Sequence, residues 1–223
     1  MKRQLLRVHF VKQLKTLTDT IDELGERTAR AIELSIESLL NHDEAEAKQV
    51  IADDETINHL EKKIEAEVHR LIGLQAPVAD ELRLLLAILK AAGDFERMGD
   101  HAVSMARATI DIISEKRSDK IEQEIKGMAN DVSEMTKAIK QTFLEMNMED
   151  AKIIAKHDDI IDKQYKALIK VVVDEMKRDP ELIDAGSRYI SVVSNLERIG
   201  DYSTNIAERI IFAEDAKWVN LNK

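Results

Sequence analysis

Apolar residues recur at alternating three- and four-residue steps through most of this 223-residue chain. Near the start, for example, the steps join Leu14, Leu17, Ile21 and Leu24. This spacing lines up one apolar stripe along an α-helix. The chain has only two prolines, seven glycines and 4% aromatic residues, so residues that break helices or favour strands are scarce. The sequence therefore predicts an all-α protein built from long helices.

The stripes divide the chain into six predicted helices. They cover residues 14–39, 57–71, 80–113, 125–146, 158–177 and 182–212. A polar segment at residues 41–45 separates the first two stripes, and Gly73 with Pro77 is predicted to end the second helix. Pro180 interrupts the pattern after the fifth. Each half of the chain thus has one proline, placed after its second helix.

Two six-residue segments of the chain are closely similar. Residues 95–100 read Phe-Glu-Arg-Met-Gly-Asp, and residues 196–201, which lie 101 positions later, read Leu-Glu-Arg-Ile-Gly-Asp. Weaker matches occur upstream at slightly larger offsets: Asp54 aligns with Asp158, and Ala31 with Ala138. Offsets that change only between helices indicate a duplicated three-helix unit whose loops differ in length. We therefore predict two tandem three-helix bundles, residues 1–114 and 115–223, related by a pseudo-twofold axis.

Composition and simple motifs exclude several classes of function. The formal charge of −10 disfavours a general nucleic-acid binder, and the absence of cysteine excludes disulfides, thiolate metal sites and cysteine nucleophiles. No apolar run is long enough to span a bilayer, and residues 1–11 lack the apolar core of a signal peptide, so we expect a cytoplasmic protein. The chain contains no phosphate-binding glycine loop, nucleophile elbow or nucleotide fingerprint, so the sequence does not indicate an enzyme.

Four pairs of oxygen-bearing side chains have the same spacing. Residues four apart lie on one face of a helix, about one turn from each other. Stacked carboxylates need a counter-charge, which either arginine or a hard metal ion such as Fe, Mn or Mg can supply. The alternative is a solvated acidic face, which is the commoner reason for such a pattern. The candidate metal ligands are Asp54, Asn58, Glu96, Asp100, Asp158, Asp162, Glu197 and Asp201.

Glycine precedes the second carboxylate of two of these pairs. Gly99 and Gly200 fall in predicted helix interiors, where glycine costs about 1 kcal/mol relative to alanine. Glycine at both positions predicts close approach of a neighbouring helix or a ligand. A ferritin-like di-iron centre is excluded, because no histidine in the chain has glutamate three positions before it.

These residues resemble the PhoU family, the accessory regulators of bacterial high-affinity phosphate transport. The resemblance covers essentially the whole chain and is strongest at residues 94–102 and 195–202, which contain the repeated Glu-Arg-x-Gly-Asp motif. It implies two three-helix repeats with metal-binding acidic motifs. One departure is Asn58, where the family motif has aspartate; the lost charge is expected to weaken or alter metal binding, although the amide oxygen remains a ligand.

The resemblance also implies a function. The protein would be a non-enzymatic, homodimeric regulator that limits phosphate uptake and represses the phosphate-starvation response when phosphate is plentiful. Its implied partners are the ATPase subunit of the phosphate ABC transporter and the sensor histidine kinase of the phosphate regulon, with the membrane reached only through them. The alternatives are a metal-dependent hydrolase or phosphatase, which would use ions on the carboxylates to activate water, and a purely structural helical scaffold.

Overall fold

The structure, a computed structural model, describes residues 2–217 and 219–221 of the chain. Met1, Trp218, Asn222 and Lys223, which fall within the two predicted repeats, lie outside the described residues. Over the described part the protein is all-α, as predicted, with six long helices and one short 3₁₀ turn, Pro180–Leu182, before the last helix. The helices are α1 Lys2–Asn41, α2 Glu44–Gln75, α3 Asp80–Asp111, α4 Asp119–Glu145, α5 Met148–Arg178 and α6 Ile183–Asp215.

Polar side chains fix where several helices begin. Asp43, Ser118 and Asn147 each accept a hydrogen bond from a backbone N–H of the first turn of α2, α4 and α5. The sequence predicted that Gly73 and Pro77 end α2, and the helix passes Gly73 but stops before Pro77. The helix continues to Gln75, where Ala76 adopts a left-handed conformation (φ 45°) and donates its N–H to the carbonyl of Ile72.

Each half of the chain forms a three-helix bundle, and the two bundles share one hydrophobic core. Helices α1, α2 and α3 pack on one another, as do α4, α5 and α6. The halves meet through α3 against α6 and α1 against α4, while α2 and α5 lie on the outside. Buried residues from all six helices belong to a single apolar cluster. The pairs that meet are the equivalent helices of the two repeats, which is the arrangement that a pseudo-twofold axis requires.

One pair of residues in the α3–α6 contact is itself equivalent in the two repeats. His101 and Tyr202 occupy the same position in the two repeats, and their ring centroids are 5.6 Å apart. His101 Nδ1 also lies 2.7 Å from the side-chain oxygen of Asn195. The pseudo-twofold axis therefore passes between α3 and α6, close to the two repeated acidic motifs.

A buried polar network joins the repeats at the α3–α4 connection. The Arg117 guanidinium donates to Glu122 Oε1 at 2.6 Å and to the carbonyl oxygen of Leu39 in α1. Tyr189 of α6 donates its hydroxyl proton to the same Glu122 carboxylate. Residues from α1, α4, α6 and the connection are thus held by one ion pair whose side chains are almost completely buried. The predicted boundary between residues 114 and 115 falls within this connection.

Candidate metal centre

The first acidic cluster lies in the groove between α2 and α3. Asp54 and Asn58 come from α2, and Glu96 and Asp100 from α3. The two helices approach closely here, because a methyl group built on Gly99 would lie 3.2 Å from the Ile57 side chain and 3.6 Å from Asp54 Oδ1. The structure therefore brings together the four residues that the sequence predicted in the first repeat.

The two carboxylate oxygens of Asp54 have different surroundings. Its Oδ2 accepts a hydrogen bond from the Asn58 side-chain amide at 2.8 Å. Its Oδ1 is buried and has no hydrogen-bond partner among the described residues. Partial burial, together with the nearby carboxylate of Asp100, raises the pKa of Asp54 above its ordinary value of 3.8. A buried acceptor with no donor is uncommon, and a bound cation would satisfy this oxygen.

The second acidic cluster occupies the equivalent groove between α5 and α6. It consists of Asp158 and Asp162 from α5 with Glu197 and Asp201 from α6. Burial and the carboxylates of the other three residues raise the pKa of Asp158 to about 7, against a small opposing effect of the Thr204 hydroxyl. The pKa values of Glu197 and Asp201 are also raised, by desolvation first and then by the neighbouring carboxylates.

Gly200 allows the two helices of the second cluster to meet at the carboxylates. A methyl group added at Gly200 would lie 2.7 Å from Asp158 Oδ1 and 3.3 Å from a methyl carbon of Ile161. The close approach that the sequence predicted at Gly99 and Gly200 is therefore present in both repeats. In each repeat the nearest polar atom belongs to a carboxylate of the cluster, so glycine serves the site as well as the helix packing.

Basic side chains offset only part of this charge. Arg97 lies 3.5 Å from Asp100 and 3.7 Å from Glu96, and the Lys166 ammonium is 3.4 Å from Asp162. Both basic side chains are more than half exposed, and exposed ion pairs contribute little. Basic side chains thus pair with the outer carboxylates of each cluster, while the inner carboxylates, Asp54 and Asp158, keep raised pKa values.

The side-chain oxygens of both clusters are suitable ligands for a hard cation. Carboxylate and amide oxygens are the ligands that Mg²⁺ and Mn²⁺ prefer, and iron also takes them. Across the part of the chain that the structure describes, no three acidic or histidine side chains already converge on a common point at ion-binding distance. The side chains would have to turn toward one another to coordinate an ion, as expected of carboxylates that repel each other without one.

The sequence interpretation missed one acidic neighbour of the first cluster. Glu61, one turn beyond Asn58, raises the pKa of Glu96 and therefore borders the first cluster. Its seven-residue spacing from Asp54 was a signal that could have found it.

Comparison with known proteins identifies the family. The family model described as the PhoU domain matches the chain twice, over residues 21–109 and 125–210. The chain belongs to the PhoU family. The phosphate-specific transport system accessory protein PhoU homologue of Clostridium acetobutylicum is 35% identical over 214 residues, which is 96% of this chain and 97% of that protein. The Pseudomonas aeruginosa homologue of the same description is 30% identical over 91% of this chain and 84% of its own length.

Solved structures of PhoU proteins have the same fold. The crystal structure of PhoU from Pseudomonas aeruginosa aligns with a TM-score of 0.90 at 29% identity, covering 93% of this chain and all of that one. The phosphate transport system regulatory protein PhoU from Streptococcus pneumoniae aligns with a TM-score of 0.88 at 28% identity, covering 95% of this chain and 99% of that one. The predicted PhoU-like architecture of two three-helix repeats is confirmed.

Proposed function

We propose that this protein is a non-enzymatic regulator of inorganic phosphate uptake and of the phosphate-starvation response. Its relatives are named as accessory proteins of the phosphate-specific transport system, and they match nearly the whole chain. The observation that carries the proposal is the double match to the PhoU domain, over residues 21–109 and 125–210. The repeated acidic motif lies in equivalent grooves of the two bundles. When phosphate is plentiful, the protein would limit uptake and repress the starvation genes.

The proposed partners are the ATPase subunit of the phosphate ABC transporter and the sensor histidine kinase of the phosphate regulon. No helix within the described residues is long and apolar enough to cross a membrane. We propose that the protein acts in the cytoplasm as a homodimer and reaches the membrane through these partners. The long outer helices α2 and α5 offer extended surfaces for such contacts.

The two acidic clusters are proposed to hold Fe, Mn or Mg. Asp54, Asn58, Glu96 and Asp100 would bind in the first repeat, and the ligands in the second would be Asp158, Asp162, Glu197 and Asp201. A bound cation supplies the positive charge that these grooves lack. The orphaned Oδ1 of Asp54 and the raised pKa of Asp158 support this assignment.

Elemental analysis of protein purified without chelator or metal affinity resin tests the metal sites. We expect metal in the wild type and its loss when Glu96, Asp100, Glu197 and Asp201 are all changed to alanine. The matched control changes two exposed acids outside the clusters, Glu124→Ala with Glu214→Ala, and should keep the metal. Equal metal content in all three proteins, or none in any, would contradict the assignment.

Gene replacement tests the regulatory role. Deletion is expected to derepress phosphate uptake and a starvation-response reporter in phosphate-rich medium, because the proposed repressor is gone. The wild-type gene and the Glu124→Ala, Glu214→Ala control should both restore repression. Normal repression in the deletion strain, with no second PhoU gene present, would refute the regulatory assignment. Metal-dependent release of phosphate from a phosphate ester by the purified protein would instead favour the hydrolase alternative.

A further inference from the structure

Helix α5 exposes isoleucines on its outer face. Ile153 and Ile160 are seven residues, or about two turns, apart, and their exposed fractions are 65% and 44%. Both line a groove of about 430 Å³ between α4 and α5. From α4, Met135 and Ala138 contribute to the apolar surface of the groove. The groove is separate from the acidic cluster, which lies between α5 and α6.

The other repeat shows that the fold does not require isoleucine at these positions. In α2, the helix equivalent to α5, Gln49 and Thr56 occupy the places of Ile153 and Ile160. Gln49 donates a hydrogen bond to Asp53 along its own helix, as expected of a solvated face. The two exposed isoleucines are therefore a feature of the second repeat, and the shared fold does not require them.

Two lysines border the same stripe. Lys156 and Lys163 each follow one of the isoleucines by three residues, so they lie on the same side of α5. Neither forms an ion pair with any residue that the structure describes, whereas Lys152 and Lys166 on the same helix pair with Glu149 and Asp162. The two lysines therefore place unpaired positive charge beside the apolar stripe, as Lys62 and Lys63 do elsewhere on the surface.

We propose that the α4–α5 groove binds an amphipathic α-helix of a partner protein. Apolar side chains of that helix, spaced three, four and seven residues apart, would pack on Ile153, Ile160 and Met135. Acidic side chains beside its apolar stripe would pair with Lys156 and Lys163. The surface does not involve the acidic clusters, so failure of the metal experiments would leave this proposal untouched.

Charge argues against a second copy of this chain as the occupant. Two α5 helices that place Ile153 of one copy against Ile160 of the other would bring their Lys156 side chains together at the centre. Glu134 lies on the α4 side of the groove and the two lysines lie on α5, so the acidic side chains of a bound helix would face α5. A helix with an apolar stripe and acidic flanks would pack on the apolar residues of the groove and form ion pairs with the lysines.

A designed peptide tests the proposal directly. The probe is a fluorescein-labelled helical peptide of about 18 residues, with leucines at three- and four-residue spacing flanked by glutamates; a scrambled peptide of the same composition is its control. We expect the wild-type protein to bind the helical peptide and not the scrambled one in fluorescence anisotropy. Ile153→Gln with Ile160→Thr, which copies the first repeat, should weaken binding by about tenfold or more.

The lysines and the first repeat provide further variants. Lys156→Ala with Lys163→Ala should weaken binding and reduce its dependence on salt, since ion pairs are screened. Gln49→Ala with Thr56→Ala, at the equivalent face of α2, should leave the affinity unchanged. All substituted side chains lie at the surface, and circular dichroism confirms that each variant is folded.

Four results would overturn the proposal. The first is equal binding of the helical and scrambled peptides, and the second is unchanged affinity in the isoleucine variant. The third is a dimer that Ile153→Gln with Ile160→Thr converts to a monomer in light scattering, which would make the groove an interface between copies. The fourth is sedimentation with phosphatidylglycerol vesicles that the same variant abolishes, which would make it a membrane surface.

Discussion

Replacing Asp158 with asparagine should stabilise the metal-free protein at alkaline pH. Asp158 has a pKa of about 7, because it is partly buried and faces Asp201 and Glu197 from α6 and Asp162 from its own helix. Ionising this carboxylate in the folded protein therefore costs free energy that the unfolded chain does not pay. Asparagine has nearly the same shape and cannot ionise, so Asp158→Asn removes this cost.

The pKa shift gives both the size and the sign of the effect. A rise from 3.8 to about 7 corresponds to about 4 kcal/mol at 1.36 kcal/mol per pKa unit. Because the carboxyl group is only about half-buried, solvent screening reduces the expected penalty to about 2 kcal/mol. Between these pKa values the folded protein holds a proton that the unfolded chain has released, so stability falls as pH rises through this window.

Urea unfolding in the presence of a chelator measures the difference. Asp158→Asn should raise the free energy of unfolding by about 2 kcal/mol at pH 8 and by much less near pH 4, where the wild-type carboxyl is protonated in the folded state. Asp159→Asn, on the exposed side of the same helix, controls for the removal of one negative charge. The reasoning is refuted if the gain is the same at both pH values or no larger than that of the control.

Two further predictions concern the connection and the glycines. Arg117→Ala should lower the free energy of unfolding by about 3 kcal/mol, because Glu122 would stay buried without its cation. The Glu122 side chain is only 6% exposed. A loss below about 1 kcal/mol in urea unfolding would contradict this prediction. Gly127→Ala should raise stability by about 0.5–1 kcal/mol, because the site is helical and open, whereas Gly200→Ala should gain less, because its methyl group would displace Asp158. Equal gains in thermal unfolding would argue against the close approach at Gly200.

Much of the fold could be predicted because it depends on local patterns. The stripe that begins at Leu14 and the repeated Glu-Arg-x-Gly-Asp motif gave the helices and the duplication. Helix ends were less predictable, because Ala76 and Met146 adopt left-handed caps that usually favour glycine or asparagine. The first part of α5 was missed because Ile153 faces outward and interrupts the apolar stripe.

The candidate site was predictable only in part, because it depends on contacts between helices. The four-residue spacing placed Glu197 and Asp201 on one face of a helix, but it does not determine which other helix packs against that face. The approach of Asp158 to Gly200 depends on packing between α5 and α6. The Arg117 network joins residues as far apart as Leu39 and Tyr189, and no local sequence pattern predicts such contacts.

The difference between the repeats at one position has an electrostatic consequence. Asn58 donates a hydrogen bond to Asp54, which favours the charged form of that carboxylate. Its counterpart, Asp162, has no such proton to donate when ionised and instead raises the pKa of Asp158. The second cluster therefore has one more carboxyl group among its candidate ligands, and it has the greater need of a cation once these groups ionise. If both clusters bind metal, the second should retain its ion at chelator concentrations that empty the first.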